Sequence, residues 1–211
     1  MIRAAIFDLD GTILDSFRLR IQSWIKAFSD FGITVTPEEI FPMIGLPGVD
    51  LAGKFSKRAF EIEEAEERYF RAHLPDLTYF PDVSRSFKEI EAMGIRICIV
   101  TSSRRSFIDL MKIDNTPVVT IDDVQVGKPD PEPYLLALKK IGGIGGTETI
   151  VFGDAVSDMI PAREIGAVAV LVRHGRPIEY EGCDYYIDEI AESVALIKHL
   201  RKQESHDMEK N

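Results

Sequence analysis

The sequence predicts an α/β protein: a doubly wound parallel sheet with a small helical domain inserted near its start. Short apolar, β-rich runs alternate along the chain with segments of helical periodicity, the pattern of a sheet wrapped by helices. Most of those runs end in a loop bearing carboxylates, a hydroxyl or a lysine. Residues 8–94 separate the first run from the second, far more than the roughly dozen residues or more that a parallel crossover requires.

The first strand is Ala4-Ala5-Ile6-Phe7, four uncharged residues that can be buried on both faces of a parallel sheet. The inserted stretch then shows one amphipathic helix over 16–31, another over 37–41 and one or two more within 49–72. Its acidic run over 61–67 reads as a solvated helix face. Beyond Pro81-Asp82 the alternation resumes. A helix is expected over 83–93 and a strand over 95–100. A strand over 117–121, a helix over 131–141, a strand over 149–152 and a helix over 157–165 follow. A strand over 168–172, another over 184–187 and a helix over 189–201 complete the series. Gly94, Gly142 and Gly166 fall where helices should stop. This divides the chain into a Rossmann-like core of 1–15 and 81–202, a small α-helical cap of 16–80 and a polar tail of 203–211, fraying from Arg201.

Composition narrows the partners. The chain has 211 residues, 45% hydrophobic and 28% charged, ordinary values for a globular protein with a sizeable core. A formal net charge of −10 argues against nucleic acid, which is held by clustered Lys and Arg. Cys98 sits in an apolar run and Cys183 in a polar one, so neither a metal-spaced pair nor a disulfide framework is implied. No charged start followed by a long apolar stretch is present, and no apolar run approaches ~18 residues, so a cytoplasmic protein without membrane contact is expected.

The chemistry lies in the loops. Asp8 and Asp10 follow the first strand, Thr101 and Ser102 the second, Lys128 the third, and Asp154 and Asp158 the fourth. In an open parallel sheet the loops beyond the carboxyl ends of the strands share one crevice, so these groups should meet. A lone Asp-x-Asp-Gly is also compatible with a turn or a calcium loop, but EF-hand spacing fails, because Leu19 stands where the bidentate Glu belongs. The set suits phosphoryl transfer, in which an anionic group approaches a carboxylate and a cation must offset their repulsion. Asp8, the main-chain carbonyl of Asp10 and Asp154 offer oxygen ligands for Mg²⁺, with Asp158 in an outer position. Lys128 and the Thr101 hydroxyl can bind phosphoryl oxygens, with Ser102 beside them. A small phosphorylated metabolite is the expected partner.

These residues resemble the four motifs of the haloacid dehalogenase-like hydrolase superfamily. Asp8-Leu9-Asp10-Gly11-Thr12 looks like the first and Ile97-Cys98-Ile99-Val100-Thr101 the second. Val126-Gly127-Lys128-Pro129-Asp130-Pro131 looks like the third and Gly153-Asp154-Ala155-Val156-Ser157-Asp158 the fourth. The resemblance implies a phosphatase in which Asp8 attacks phosphorus to form an aspartyl-phosphate, while Asp10 protonates the departing alcohol and then activates water. It extends to the phosphoglycolate phosphatase-like and β-phosphoglucomutase-like members with a helical cap. A phosphomutase and a catalytically idle binding protein are therefore the alternatives. Within the cap, Arg20, Gly45 and Lys54 are the candidates for facing substrate, with Arg18 beside them. Trp24 is read as cap core, with a substrate platform as the alternative.

Overall fold

A computed structural model describes residues 1–111, 113 and 115–208, the side chains of 204–208 excepted. Strand β1 (Ala4–Phe7) opens the chain and is followed by four cap helices, α1 (Phe17–Asp30), α2 (Pro37–Ile40), α3 (Gly48–Gly53) and α4 (Ala59–Ala72). The core then continues through α5 (Val83–Ala92), β2 (Arg96–Val100), α6 (Arg105–Met111) and β3 (Val118–Val119). It closes with α7 (Glu132–Lys140), β4 (Thr149–Gly153), α8 (Val156–Glu164), β5 (Val168–Val172), β6 (Tyr185–Ile187) and α9 (Ala191–Met208).

The strands form one parallel sheet in the order β3-β2-β1-β4-β5-β6. β1 lies at its centre, with Ile6 opposite both Cys98 and Val151. Its side chains alternate between two apolar layers, as a period of two requires. Ala5 and Phe7 join Ile97, Ile99 and Phe152 under α5 and α9, whereas Ala4 and Ile6 join Cys98, Val151 and Leu171 under α7 and α8. Phe7 stacks on Phe152 at 4.7 Å between centroids and tilts against Phe87 at the same distance. A strand buried on both faces leaves charged residues one exit, the loop at its end.

The third strand is shorter than expected. Only Val118 and Val119 pair with β2, because Thr120 turns into a one-turn helix and its N–H donates to Asp123 Oδ2 at 2.8 Å. The expected fraying from Arg201 is also corrected, since α9 runs on to Met208. Arg201, Lys202, Gln203 and Glu204 are good helix formers, and no Gly or Pro interrupts them. Residues 209–211 of the polar tail lie outside the described residues. Among the described residues no helix is long and apolar enough to cross a membrane.

The cap helices bury their own cluster, including Trp24, Phe28, Ile40, Leu51, Ile62 and Ala65. The chain leaves and re-enters the core through a short two-stranded ribbon. Asp15 N donates to Thr78 O at 2.9 Å, Phe80 N donates to Ile13 O at 3.1 Å, and Leu14 bridges Tyr79. His174 wedges against this ribbon: its ring stacks on Phe80 at 3.6 Å, and its Nε2 lies 2.8 Å from Thr12 O.

Because Phe7 is wholly buried at the sheet centre, Phe7→Ala should lower the unfolding free energy by about 3–5 kcal/mol, measured by urea denaturation. A loss under about 1 kcal/mol would contradict this packing.

Candidate active site

The loops after β1, β2, β4 and β5 and the one before α7 meet at the carboxyl edge of the sheet, with the cap above them. At the bottom lies Lys128, buried, whose Nζ donates to Asp8 Oδ1 and Asp158 Oδ1, each at 2.6 Å. Tyr134 Oη donates to the same Asp158 oxygen at 2.8 Å, and Ala155 N to the other at 3.2 Å. Asp158 thereby has both oxygens held. Burial disfavours the Lys128 charge, but Asp158 and Asp8 outweigh it and raise the ammonium above its ordinary value. Burial drives the Asp8 carboxyl well above the usual carboxylate range, and Lys128 draws it back only in part.

Asp154 completes the cluster. One oxygen of each of Asp8, Asp154 and Asp158 lies within 4.8 Å of the others, and all three residues are buried. Burial lifts Asp154 to about 6, against the pull of Arg176. Its Oδ2 accepts from Arg176 Nη1 at 2.7 Å, while its Oδ1 is buried with no partner among the described residues. A buried carboxylate oxygen without a donor is costly, and two neighbouring acids, Asp8 and Asp154, held above their normal range ask for positive charge. The donor set is all oxygen, so a hard divalent cation fits it.

Arg176 escaped the sequence reading, although it lies just past the end of β5, on the edge where the other site residues gather. Its Nη2 donates to Gly11 O at 2.9 Å, and its guanidinium lies 4.4 Å over the ring of Phe17, the first residue of α1. Gly11 has φ +79°, and a Cβ there would stand 2.2 Å from Asp154 Oδ2, so only glycine lets the first and fourth motifs come together.

Asp10 faces the other way, toward the cap. Arg20 of α1 grips both its oxygens, Nε on Oδ1 and Nη2 on Oδ2, each at 3.2 Å. Ser16 and Ser103 hydroxyls donate to Oδ1 and Oδ2 at 2.8 Å. Burial would raise the Asp10 carboxyl, but Arg20 and the two serines hold it below the usual range. Arg20 also donates to Glu66 at 3.2 Å and lies 3.4 Å over the ring of Phe70.

The remaining candidates divide. Thr101 is buried in the cavity wall, and its Oγ1 accepts from Ser103 N at 3.0 Å. Ser102 lines the same cavity, with its hydroxyl donating to the cap carbonyl of Gly45 at 2.9 Å. Gly45 has φ +96°, and a Cβ there would meet Ser157 Oγ at 2.5 Å, so the cap loop closes directly on α8. Trp24 is cap core and also reaches the cavity. Arg18 and Lys54 are exposed and neither lines the cavity. The acidic run over 61–67 is not a solvated face: Glu63 and Glu66 are buried and turned inward. Glu63, Glu66 and Phe70 stand at helical spacing i, i+3 and i+7 beside Ile62, and that apolar companionship was the missed signal. Arg104, also missed, binds Glu63 at 2.7 Å and Glu67 at 2.8 Å.

An open α/β sheet with this acidic cluster at its carboxyl edge and a helical cap defines a hydrolase of one family. The chain belongs to the haloacid dehalogenase-like hydrolases, whose family model matches residues 5–172. It is similar to pyrophosphatase PpaX of Oceanobacillus iheyensis, with 28% identity over 93% of this chain and 97% of that protein. It is also similar to the glyceraldehyde 3-phosphate phosphatase of Methanocaldococcus jannaschii, with 25% identity over 96% of this chain and 100% of that protein. Among solved structures, a hydrolase from Pseudomonas syringae superposes with a TM-score of 0.83 and 25% identity, covering 95% of this chain and 98% of that one.

Glu66 offers a test of the site's electrostatics. Burial lifts it to about 7 from an ordinary 4.5, with Arg20 opposing. Between those values the folded chain keeps a proton that the unfolded chain has lost, so this group's contribution to stability falls as pH rises. Glu66→Gln removes the titration. The variant's urea midpoint should therefore gain on the wild type between about pH 5 and about pH 8, and a pH-independent difference would refute the burial.

Proposed function

We propose that this chain is a Mg²⁺-dependent phosphatase that hydrolyses a small-molecule phosphate monoester through an aspartyl-phosphate on Asp8. The observation that carries the reading is the buried triad of Asp8, Asp154 and Asp158, with Lys128 bridging two of its members and one Asp154 oxygen left without a donor among the described residues. Asp8, the Asp10 carbonyl and Asp154 would hold Mg²⁺, with Asp158 in an outer position. When bound, the ion offsets the charge of the phosphoryl group and the attacking carboxylate. Such a triad supplies a nucleophile and a cation site in one place, an arrangement a purely structural cluster has no use for.

The contacts support one assignment of roles. An oxygen of Asp8 forms a bond to phosphorus as the bond between phosphorus and the leaving oxygen breaks, and the leaving oxygen takes a proton from Asp10 once its carboxylate, favoured at rest by Arg20, has picked one up from solvent. Water then attacks phosphorus, giving its proton to Asp10, and the bond between phosphorus and Asp8 breaks to release inorganic phosphate. Lys128 offsets part of the charge of Asp8 and Asp158 at the attack site, and Thr101 and Ser102 with nearby main-chain N–H groups receive the phosphoryl oxygens. Arg20 orients Asp10 from the cap with a two-pronged grip, which favours the carboxylate that accepts the proton from water. Since Arg20 is borne on α1, any movement of the cap also changes the setting of Asp10.

Asp8→Asn should cut phosphate release from para-nitrophenyl phosphate in Mg²⁺ by ~10³-fold or more, and chelation by EDTA should abolish it reversibly. Activity surviving Asp8→Asn would sink the proposal, and conversion of a sugar 1-phosphate to its 6-phosphate without phosphate release would decide for the mutase. Arg20→Lys keeps the charge but loses the planar fork, and should lower kcat about tenfold with a smaller change in KM. An unchanged kcat would remove Arg20 from the acid/base step.

A further inference from the structure

Granting the phosphatase reading, we infer that the leaving group admitted by this site is uncharged, so that the substrates are phosphate esters of neutral alcohols and not pyrophosphate or bisphosphates. The inference comes from the cap side of the cavity, where two of the three lining arginines, Arg20 and Arg104, already have carboxylate partners.

The half-open cleft between cap and core is small, about 70 Å³. Three arginines line it, Arg20, Arg71 and Arg104. Arg20 binds Asp10 and Glu66, with side-chain exposures of 14%, 15% and 3%. Arg104 binds Glu63 and Glu67, with side-chain exposures of 36%, 11% and 28%. Arg71 binds the Ser106 hydroxyl and is the one lining arginine that meets no carboxylate among the described residues. Against these stand three cap glutamates on the same wall. Burial has already raised the Glu63 and Glu66 carboxyls above their ordinary range, so this wall resists additional negative charge.

A second phosphoryl group would bring about two negative charges against that wall, in a space where water screens poorly. Recruiting Arg104 to it would leave Glu63 nearly buried and unpaired, and recruiting Arg20 would release both Asp10 and Glu66. The discrimination is therefore repulsive as much as attractive. A neutral polyol or an aryl alcohol meets no such penalty. It finds an apolar floor in Trp24, Leu51 and Phe70, and the Glu67 carboxylate can accept from its hydroxyls.

The test compares kcat/KM in Mg²⁺ for para-nitrophenyl phosphate and glycerol 3-phosphate with that for pyrophosphate and fructose 1,6-bisphosphate. The neutral-alcohol esters should win by about 100-fold or more. Glu63→Gln with Glu67→Gln frees Arg104, and should move the ratio of pyrophosphate to ester hydrolysis upward by about tenfold. Pyrophosphate or the bisphosphate hydrolysed as well as the esters would overturn the inference while leaving the phosphatase reading intact. A ratio unmoved by the double variant would overturn the charge argument, and hydrolysis of neither class would remove both readings together.

Discussion

One ammonium group makes the rest of this site possible. Lys128 is enclosed between Asp8 and Asp158, and without it three carboxylates would share a buried edge with no fixed positive charge at their centre. Removing one partner from a buried charge cluster leaves the others uncompensated, which is far worse than never having buried them. The geometry of the third motif serves that position, since Lys128 must cross from the loop before α7 to reach the strand ends. Arg176 makes a second, weaker compensation at Asp154 and stops short of covering its other oxygen.

The same principle recurs above the core with different residues. The cap carries Arg20 and Glu66, the core loop carries Arg104, and each ion pair on the cavity wall draws partners from separate segments. Cap and core are thus joined through charge as well as through apolar contact. Asp10 sits at the junction, held by Ser103 from the core and by Arg20 from the cap. The loop that carries Asp8 and Asp10 therefore reports the position of a domain whose own core it does not touch.

How much of this could be read beforehand differs by level. The sheet and its flanking helices were legible because burial on two faces leaves uninterrupted apolar runs, as in Ala4–Phe7 and Val168–Val172. The third strand was overextended because an edge strand needs only enough pairing to end its partner, and Thr120 had a better hydrogen bond in the following turn. The acidic stretch of α4 was misread because charge alone does not say which way a helix faces. Ile62, Ala65 and Phe70 set that face, and Glu63 and Glu66 turned inward with them.

The sequence by itself determined the residue types at the strand ends, because a carboxylate, hydroxyl or lysine following a buried strand can only emerge at the carboxyl edge of the sheet. It therefore brought Asp8, Thr101, Lys128 and Asp154 to one place without any knowledge of distances. Tertiary structure alone decided which charges meet. Arg20 pairs with Asp10 across a domain junction, Arg176 with Asp154 across the sheet edge, and Arg104 with glutamates of the cap. Ion pairing depends on separations of a few ångströms between segments far apart in the chain, and no local pattern of residues encodes such a distance.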